Sequence, residues 1–233
     1  DRIHTLYLSE SFSKTKEGKA LREGVKHIEL VTDEVFKNLS DTQTPQGILA
    51  LVKQYHYTLE EVAGGSRKSA QAEDLQEKPA LLMVLETIQD PGNLGTILRA
   101  SEGAGVTGIV MDANTADIYN PKVIRSTMGS VLRMPFVYVE NLHETLEELK
   151  KKKIRLFAAH LQGKHAYDQE DYTGPAAFLI GNEGNGLTEE TAAMADTYIR
   201  IPMEGRVESL NAAVAASVLM FEAARQRRNH TGK

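Results

Sequence analysis

The chain has 233 residues, 41% of them hydrophobic and 25% charged, with a formal net charge of −5. This is the profile of a globular protein long enough to bury a substantial core, and it offers no global attraction to a polyanion. It contains no cysteine, which excludes disulfides, thiolate metal sites and Cys nucleophiles and fits a reducing cytoplasm. No apolar run is long enough to cross a bilayer and no signal-peptide pattern opens the chain, so no membrane association is expected. The sequence begins at Asp1 rather than Met, and a preceding segment is expected. Two basic runs, Lys150–Lys153 and Arg225–Arg228, could meet a polyanion locally, or could simply be solvated helix ends.

Residues 1–53 carry strand-like pieces, "TLYLS", "HIELV" and "GILALV", around a helix-like "EGKALREGV". They read as the remaining half of a small α/β domain. Residues 54–78, above all the polar, Gly/Ser/Ala-rich stretch from Leu59, read as a linker. Residues 79–233 alternate regularly. Strands are expected at "ALLMVLE", "GIVMD", "FVYV", "IRLFAAHL", "AAFLIG" and "TYIRIP", and helices over 94–104, 121–130, 142–153, 188–195 and 209–227. Continuous apolar strands interleaved with helices predict a parallel sheet covered on both faces.

Three segments of this second region can carry chemistry. The first, "QDPGNLGTILRASEGAG", reads as a strand, a Gly-rich turn and a helix. Leu94, Ile97, Leu98, Ser101 and Gly105 fall on one helical side, and Arg99 lies off it, free to point into a cleft. Asn93 is expected in the turn itself. The glycines run G-x-x-G where a dinucleotide fingerprint needs G-x-G-x-x-G, although Asp112 stands at about the right distance for that fingerprint's acidic residue. By spacing alone, an ordinary strand–turn–helix and an anion site both remain open.

The second segment, "AAFLIGNEGNGLTEE", places Gly181, Gly184 and Gly186 among Asn182, Glu183 and Asn185. Such a loop lets backbone approach a ligand, but a phosphate cradle would avoid the Glu183 carboxylate. The third, "IRIPMEGRVESLNAAVAASVLMFEAARQRR", reads as a strand, a polar loop and a helix from about Ser209 with an apolar stripe of Leu210, Val214, Val218 and Phe221. Ser209 and Asn211 at its start suit helix capping. No pair of histidines has ligand spacing and G-x-S-x-G is absent, so neither a metal site nor a serine hydrolase is expected.

Taken in order, the three segments resemble the motifs of the SpoU (TrmH) family of RNA ribose 2′-O-methyltransferases, of the SPOUT class; "IYNPKVIRSTMGS" between the first two also matches. Residues 1–53 resemble the latter part of the ribosomal-protein-like RNA-binding domain of many members. The resemblance implies an α/β domain with a C-terminal trefoil knot, S-adenosylmethionine as cofactor, a homodimer, and RNA as substrate, with ribosomal RNA favoured over transfer RNA. Carried onto this sequence, it assigns the cofactor to His160, Leu161, Gly181, Ile201, Met203 and Leu210. It assigns the reacting centre to Asn93, Arg99, Glu183, Ser209 and Asn211, the last three orienting Arg99 and the ribose. Lys122, Arg125, Arg133 and Arg206 would bind RNA. Two further readings stay open: a non-catalytic RNA-binding or ribosome-assembly protein on the same fold, and an oxidoreductase resting on the imperfect glycine pattern and Asp112.

Overall fold

The structure is a computed structural model that describes residues 2–64 and 79–231. The chain divides into two compact units, Asp1–Tyr55 and His56–Lys233.

The first unit runs β1 (Ile3–Ser9), α1 (Glu10–Ser13), α2 (Lys16–Gly24), β2 (Ile28–Val31), α3 (Asp33–Leu39) and β3 (Ile48–Val52). Its sheet has the order β2-β1-β3, with β1 parallel to β2 and antiparallel to β3. Ser9, Thr15 and Thr32 cap the three helices through their side-chain oxygens, and Leu6, Leu8 and Phe36 are buried.

The second unit runs α4 (Leu59–Ala63), β4 (Leu81–Leu85), α5 (Pro91–Ala104), β5 (Gly108–Asp112), α6 (Pro121–Ser126), β6 (Phe136–Val139), α7 (Leu142–Lys151), β7 (Arg155–Ala159), β8 (His165–Ala166), β9 (Ala176–Ile180), α8 (Glu189–Ala193), β10 (Thr197–Arg200) and α9 (Ala212–Thr231). Its seven strands pair throughout in parallel, in the order β6-β5-β4-β9-β7-β10-β8. Every residue of β4, β5 and β9 is buried, which is why these strands read as unbroken apolar runs rather than alternating ones. Leu82, Val84, Val110, Leu156, Ala177 and Leu179 pack with Leu146 and Leu149 of α7 and Ala192 of α8. Each such Leu contributes about 1.5–3 kcal/mol on leaving water. The other residues of β4, Leu81, Met83 and Leu85, alternate to the other face.

Four expectations change. Within the stretch read as linker, Leu59–Ala63 is a helix with a capping box between Thr58 and Glu61, and its Val62 and Ala63 are buried; two apolar residues beside a glycine pair gave too little periodicity to read. The rest of that stretch, 65–78, lies outside the described residues. The helix expected over 121–130 stops at Ser126, because Met128 and Gly129 take positive φ values of 50° and 88°, and resumes only as a 3₁₀ turn at Ser130–Leu132. The segment Pro91–Gly95 is no turn: Asp90 caps and Pro91 opens a helix, so Asn93 is already helical. Gly95 serves packing, since a Cβ there would lie 1.6 Å from Ser126 Oγ.

The last helix begins at Ala212, not Ser209. Its buried face is Ala213, Ala216, Leu219, Met220, Ala223 and Ala224, whereas Val214 and Phe221 of the expected stripe are each 48% exposed. Small side chains let α9 approach α5 closely, with Ser101 Oγ donating to Met220 Sδ at 3.1 Å, so alanines together with Leu219 and Met220 form the buried face.

Candidate active site

In an open parallel sheet, ligands bind beyond the carboxyl ends of the strands where the chain order reverses. Here that point lies between β4, which leads through β5 to β6, and β9, whose neighbours are β7 and then β10. The loops that leave β4 and β9 meet there. Glu183, in the loop after β9, accepts hydrogen bonds from the amides of Gln89 (3.2 Å) and Asp90 (3.0 Å) and from Asn93 Nδ2 (3.0 Å). Asn93 Oδ1 accepts in turn from Asn211 Nδ2 at 3.0 Å. Asn211 Oδ1 accepts from the amides of Ala213 and Val214 and so caps α9. Three polar side chains from three distant segments thus form one string.

Partial burial works to raise the Glu183 pKa, but the bonds from Asn93, its own backbone and the amides of Asp90 and Gln89 outweigh it, so the carboxyl sits below its usual range. Glu183 is therefore an anion and an acceptor near neutral pH.

The loop from Gly181 to Thr188 folds back on itself. Gly186 (φ 72°) donates its amide to the Asn182 carbonyl at 2.9 Å, and a Cβ on Gly181 would lie 2.1 Å from the backbone of Gly186 and Leu187. Gly181 is required for space, and Gly186 is favoured by its left-handed backbone. Asn182 Oδ1 accepts from the amides of Gly184 (2.9 Å) and Asn185 (3.2 Å), and its Nδ2 donates to the Thr87 carbonyl (2.9 Å). At the other end of the loop the buried Glu86 carboxylate accepts from the amide and hydroxyl of Thr188, both at 2.8 Å, and from Thr191 Oγ1. Thr87 itself has φ 57°; a β-branched residue there costs about 1–3 kcal/mol, which its surroundings must offset.

The structure gathers Asn93, Glu183 and Asn211. It does not bring Arg99 or Ser209 into that string. Arg99 is exposed on α5 and, among the described residues, has no hydrogen-bond or ion-pair partner, and the same holds for Ser209. The side chains of Glu183 and Asn211 are engaged here by Asn93, the turn after β4 and the start of α9. The reading of Asp112 is corrected. It is buried with a carboxylate taken up by Thr87 and Thr115, so it cannot receive a cofactor ribose.

The six residues assigned to a cofactor follow the strands β7, β9 and β10. These lie side by side and parallel in the order β9-β7-β10, so His160–Leu161, Gly181, Ile201 and Met203 leave the sheet at one edge. Leu161 is 63% exposed, and His160, Ile201, Met203 and Leu210 are half-buried. The rings of His160 and Tyr198 lie 5.0 Å apart, tilted by 44°, and His160 Nδ1 accepts the Gln162 amide. Partly exposed apolar side chains beside a glycine-bearing loop suit a nucleoside, which offers a flat face and a polar rim.

Lys122 and Arg125 are exposed on α6, and Arg206 is exposed in the loop before α9. Arg133 differs: both arms of its guanidinium bind the Glu102 carboxylate, which neutralises it. The basic run at the C-terminus is likewise committed. Arg225 pairs with Glu222 at 2.7 Å. Arg227 donates to the carbonyls of Tyr172, Pro79, Ala80 and Gly174 at 2.7–3.0 Å.

Sequence reasoning missed Glu86 and Thr87. Glu86 interrupts an otherwise apolar strand end and Thr87 precedes the Pro-Gly signal, but the partners of both come from 25 to 105 residues away. Among the described residues no helix is long and apolar enough to cross a membrane, and no three His, Cys, Asp or Glu side chains cluster for a metal ion.

An all-parallel sheet with a polar string and glycine loop at its switch point defines an α/β protein of the nucleotide- or nucleoside-handling kind. The SpoU rRNA Methylase family profile matches residues 80–221, and the profile for RNA 2′-O ribose methyltransferase substrate binding matches residues 1–58. The chain belongs to the SpoU family. It is 31% identical over 192 residues to the 23S rRNA (guanosine(2553)-2′-O)-methyltransferase RlmP of Bacillus subtilis, a match covering 82% of this chain and 70% of that protein. Among solved structures it resembles the SpoU methyltransferase AviRb from Streptomyces viridochromogenes in complex with AdoMet, with TM-score 0.81 and 26% identity over 97% of this chain and 84% of that one. It also resembles the TrmH/SpoU tRNA modifying enzyme of A. aeolicus, with TM-score 0.60 and 27% identity over 74% of this chain and 82% of that one.

Proposed function

We propose that the protein is an S-adenosylmethionine-dependent methyltransferase that methylates a ribose 2′-hydroxyl in RNA, with ribosomal RNA as the substrate. The observation that supports it most is the Glu183–Asn93–Asn211 string at the switch point of the parallel sheet, in a chain whose residues 80–221 match the SpoU profile. The likeness to RlmP favours ribosomal RNA; the likeness to a tRNA-modifying enzyme makes transfer RNA the second reading.

When bound, S-adenosylmethionine supplies an electrophilic methyl group. His160, Leu161, Gly181, Ile201, Met203 and Leu210 would hold it, the apolar side chains covering the nucleoside and excluding water. The 2′-hydroxyl is a weak nucleophile, and a pre-set cation stabilises its developing charge. Arg99 is the cation suited to that role. Exposed and without a protein partner among the described residues, it binds the adjacent phosphate and the alkoxide oxygen. A guanidinium holds its proton too tightly to act as a base, so the hydroxyl proton passes to solvent water. Glu183, Asn93 and Asn211 fix the two loops around the ribose, and Ser209 adds a hydroxyl there. Lys122, Arg125 and Arg206 contribute phosphate contacts, with Arg133 the weakest because of Glu102.

The same reading includes a cytoplasmic enzyme, a C-terminal segment threaded into a trefoil knot, and a homodimer. Val214 and Phe221, seven residues apart on α9 and each 48% exposed, support an apolar helix face that a second copy covers. Two measurements test the whole. Calorimetry should give one S-adenosylmethionine site per chain, and mapping of ribose methylation in total RNA with and without the gene should reveal one lost mark in ribosomal RNA. Absence of both the site and the mark would overturn the reading.

A further inference from the structure

Neither the string nor the proposed chemistry uses the buried carboxylate of Asp112, at the end of β5. Its Oδ1 accepts the amide of Thr87 at 2.8 Å and the hydroxyl of Thr115 at 2.7 Å, and its Oδ2 accepts the hydroxyl of Thr87 at 2.8 Å. Thr115 Oγ1 in turn accepts the amide of Ile88 at 3.2 Å, and the Ala116 amide donates to the Ile88 carbonyl at 2.8 Å. The segment 112–116 therefore grips residues 87 and 88 at four points.

The grip falls on the residue that most needs it. Thr87 is β-branched and left-handed at φ 57°, a conformation it leaves readily unless held. Its own carbonyl accepts Asn182 Nδ2, and the amides two and three residues on, Gln89 and Asp90, are the ones that hold Glu183. A relaxed Thr87 would withdraw all three groups together.

We infer that Asp112 is a positioning residue, which keeps Thr87 left-handed and so aims the 87–90 turn at Asn182 and Glu183. It touches neither substrate nor cofactor; it joins the end of β5 to the glycine loop after β9 through one strained threonine. The effect on methyl transfer rests on the function proposed above, whereas the effect on the loop does not.

The test is a rescue. Asp112→Ala should lower kcat for RNA methylation at least tenfold. Thr87→Gly alone should stay within about threefold of the parent, because glycine takes the left-handed conformation without a restraint. The double variant Asp112→Ala/Thr87→Gly should recover most of the loss, which a role in packing or stability alone would not allow. Amide hydrogen exchange on the same proteins reads the loop directly. Gln89, Asp90 and Gly184 should lose protection in Asp112→Ala and regain it in the double variant, while Leu82 and Phe178 in the strands remain protected throughout. Should Asp112→Ala fail to fold, Asp112→Asn, which retains one oxygen for the Thr87 amide, takes its place with a smaller loss and the same rescue.

An inactive parent protein with the predicted exchange pattern would overturn the enzymatic reading and uphold the positioning. Unchanged exchange at Gln89 and Asp90 in Asp112→Ala, or a double variant no better than the single one, would overturn the positioning.

Discussion

Two arginines of the second unit differ in what holds them. Arg227, on α9, donates to four main-chain carbonyls that precede β4 and β9, and burial pushes its pKa down to about 10, still charged at neutral pH. Arg99, on α5, is exposed and has no protein partner among the described residues. One cation ties the C-terminal helix to the amino edge of the sheet, and the other is uncommitted on the exposed face of α5. Charge committed to the fold stabilises it, and charge left uncommitted at the surface is free to meet a ligand. The distinction also separates Arg133 and Arg225, each paired with a carboxylate, from Lys122, Arg125 and Arg206.

The sharpest way to break that contrast is to remove each arginine. Arg99→Ala should reduce kcat for RNA methylation by about 100-fold or more, the scale of losing one charge-stabilising group, with an unchanged melting temperature. Arg99→Lys with near-normal turnover at unchanged RNA affinity would rule out a need for the planar fork. Arg227→Met should do the reverse: about 2–3 kcal/mol of stability lost in urea unfolding, because charge-assisted bonds vanish and carbonyls are left unpaired, with kcat per folded molecule retained.

Glu183→Gln sharpens the picture at the string. It keeps the shape but weakens the acceptor for two amides and Asn93, and about a tenfold fall in kcat/KM is expected, equivalent to about 1.4 kcal/mol. The pH dependence has a definite sign. The folded pKa of Glu183 lies below its unfolded value, so its contribution to stability is full above the ordinary carboxylate range and is lost as pH falls through that lower folded value. Protection of the Asn93 side-chain amide, followed by NMR on acidification, should persist through the ordinary range and fail only beneath it. Asn211→Ala should show the smallest effect, about 1 kcal/mol from the lost cap. Asn211→Asp keeps the cap but presents a carboxylate to Asn93 Oδ1, so a larger activity loss than in Asn211→Ala would separate the string from the cap.

Much of the site was legible because its residue types conflict with their surroundings. Glu183 among glycines and Asn211 before an alanine-rich helix both stood out, and each proves to be a junction. The α5 stripe of Leu94, Ile97, Leu98 and Ser101 is buried as its spacing predicts. The α9 stripe was misread because Val214 and Phe221 were taken to mark the core, whereas the buried face runs through Ala213, Ala216, Leu219, Met220 and Ala223. Helix α3 had readable signals in Thr32, Asp33 and Glu34 that its weak periodicity hid.

By itself the sequence determined the strand and helix alternation of the second unit, the parallel sheet that such alternation requires and the three segments that carry the site, since backbone propensity and apolar periodicity are local properties. Only the tertiary structure decided which polar groups satisfy one another. Glu183 turned to Asn93 rather than Arg99, Asp112 turned inward to Thr87, and Arg227 closed on carbonyls because hydrogen-bond partners are selected by proximity in space, and those partners lie 25 to 148 residues apart in the chain.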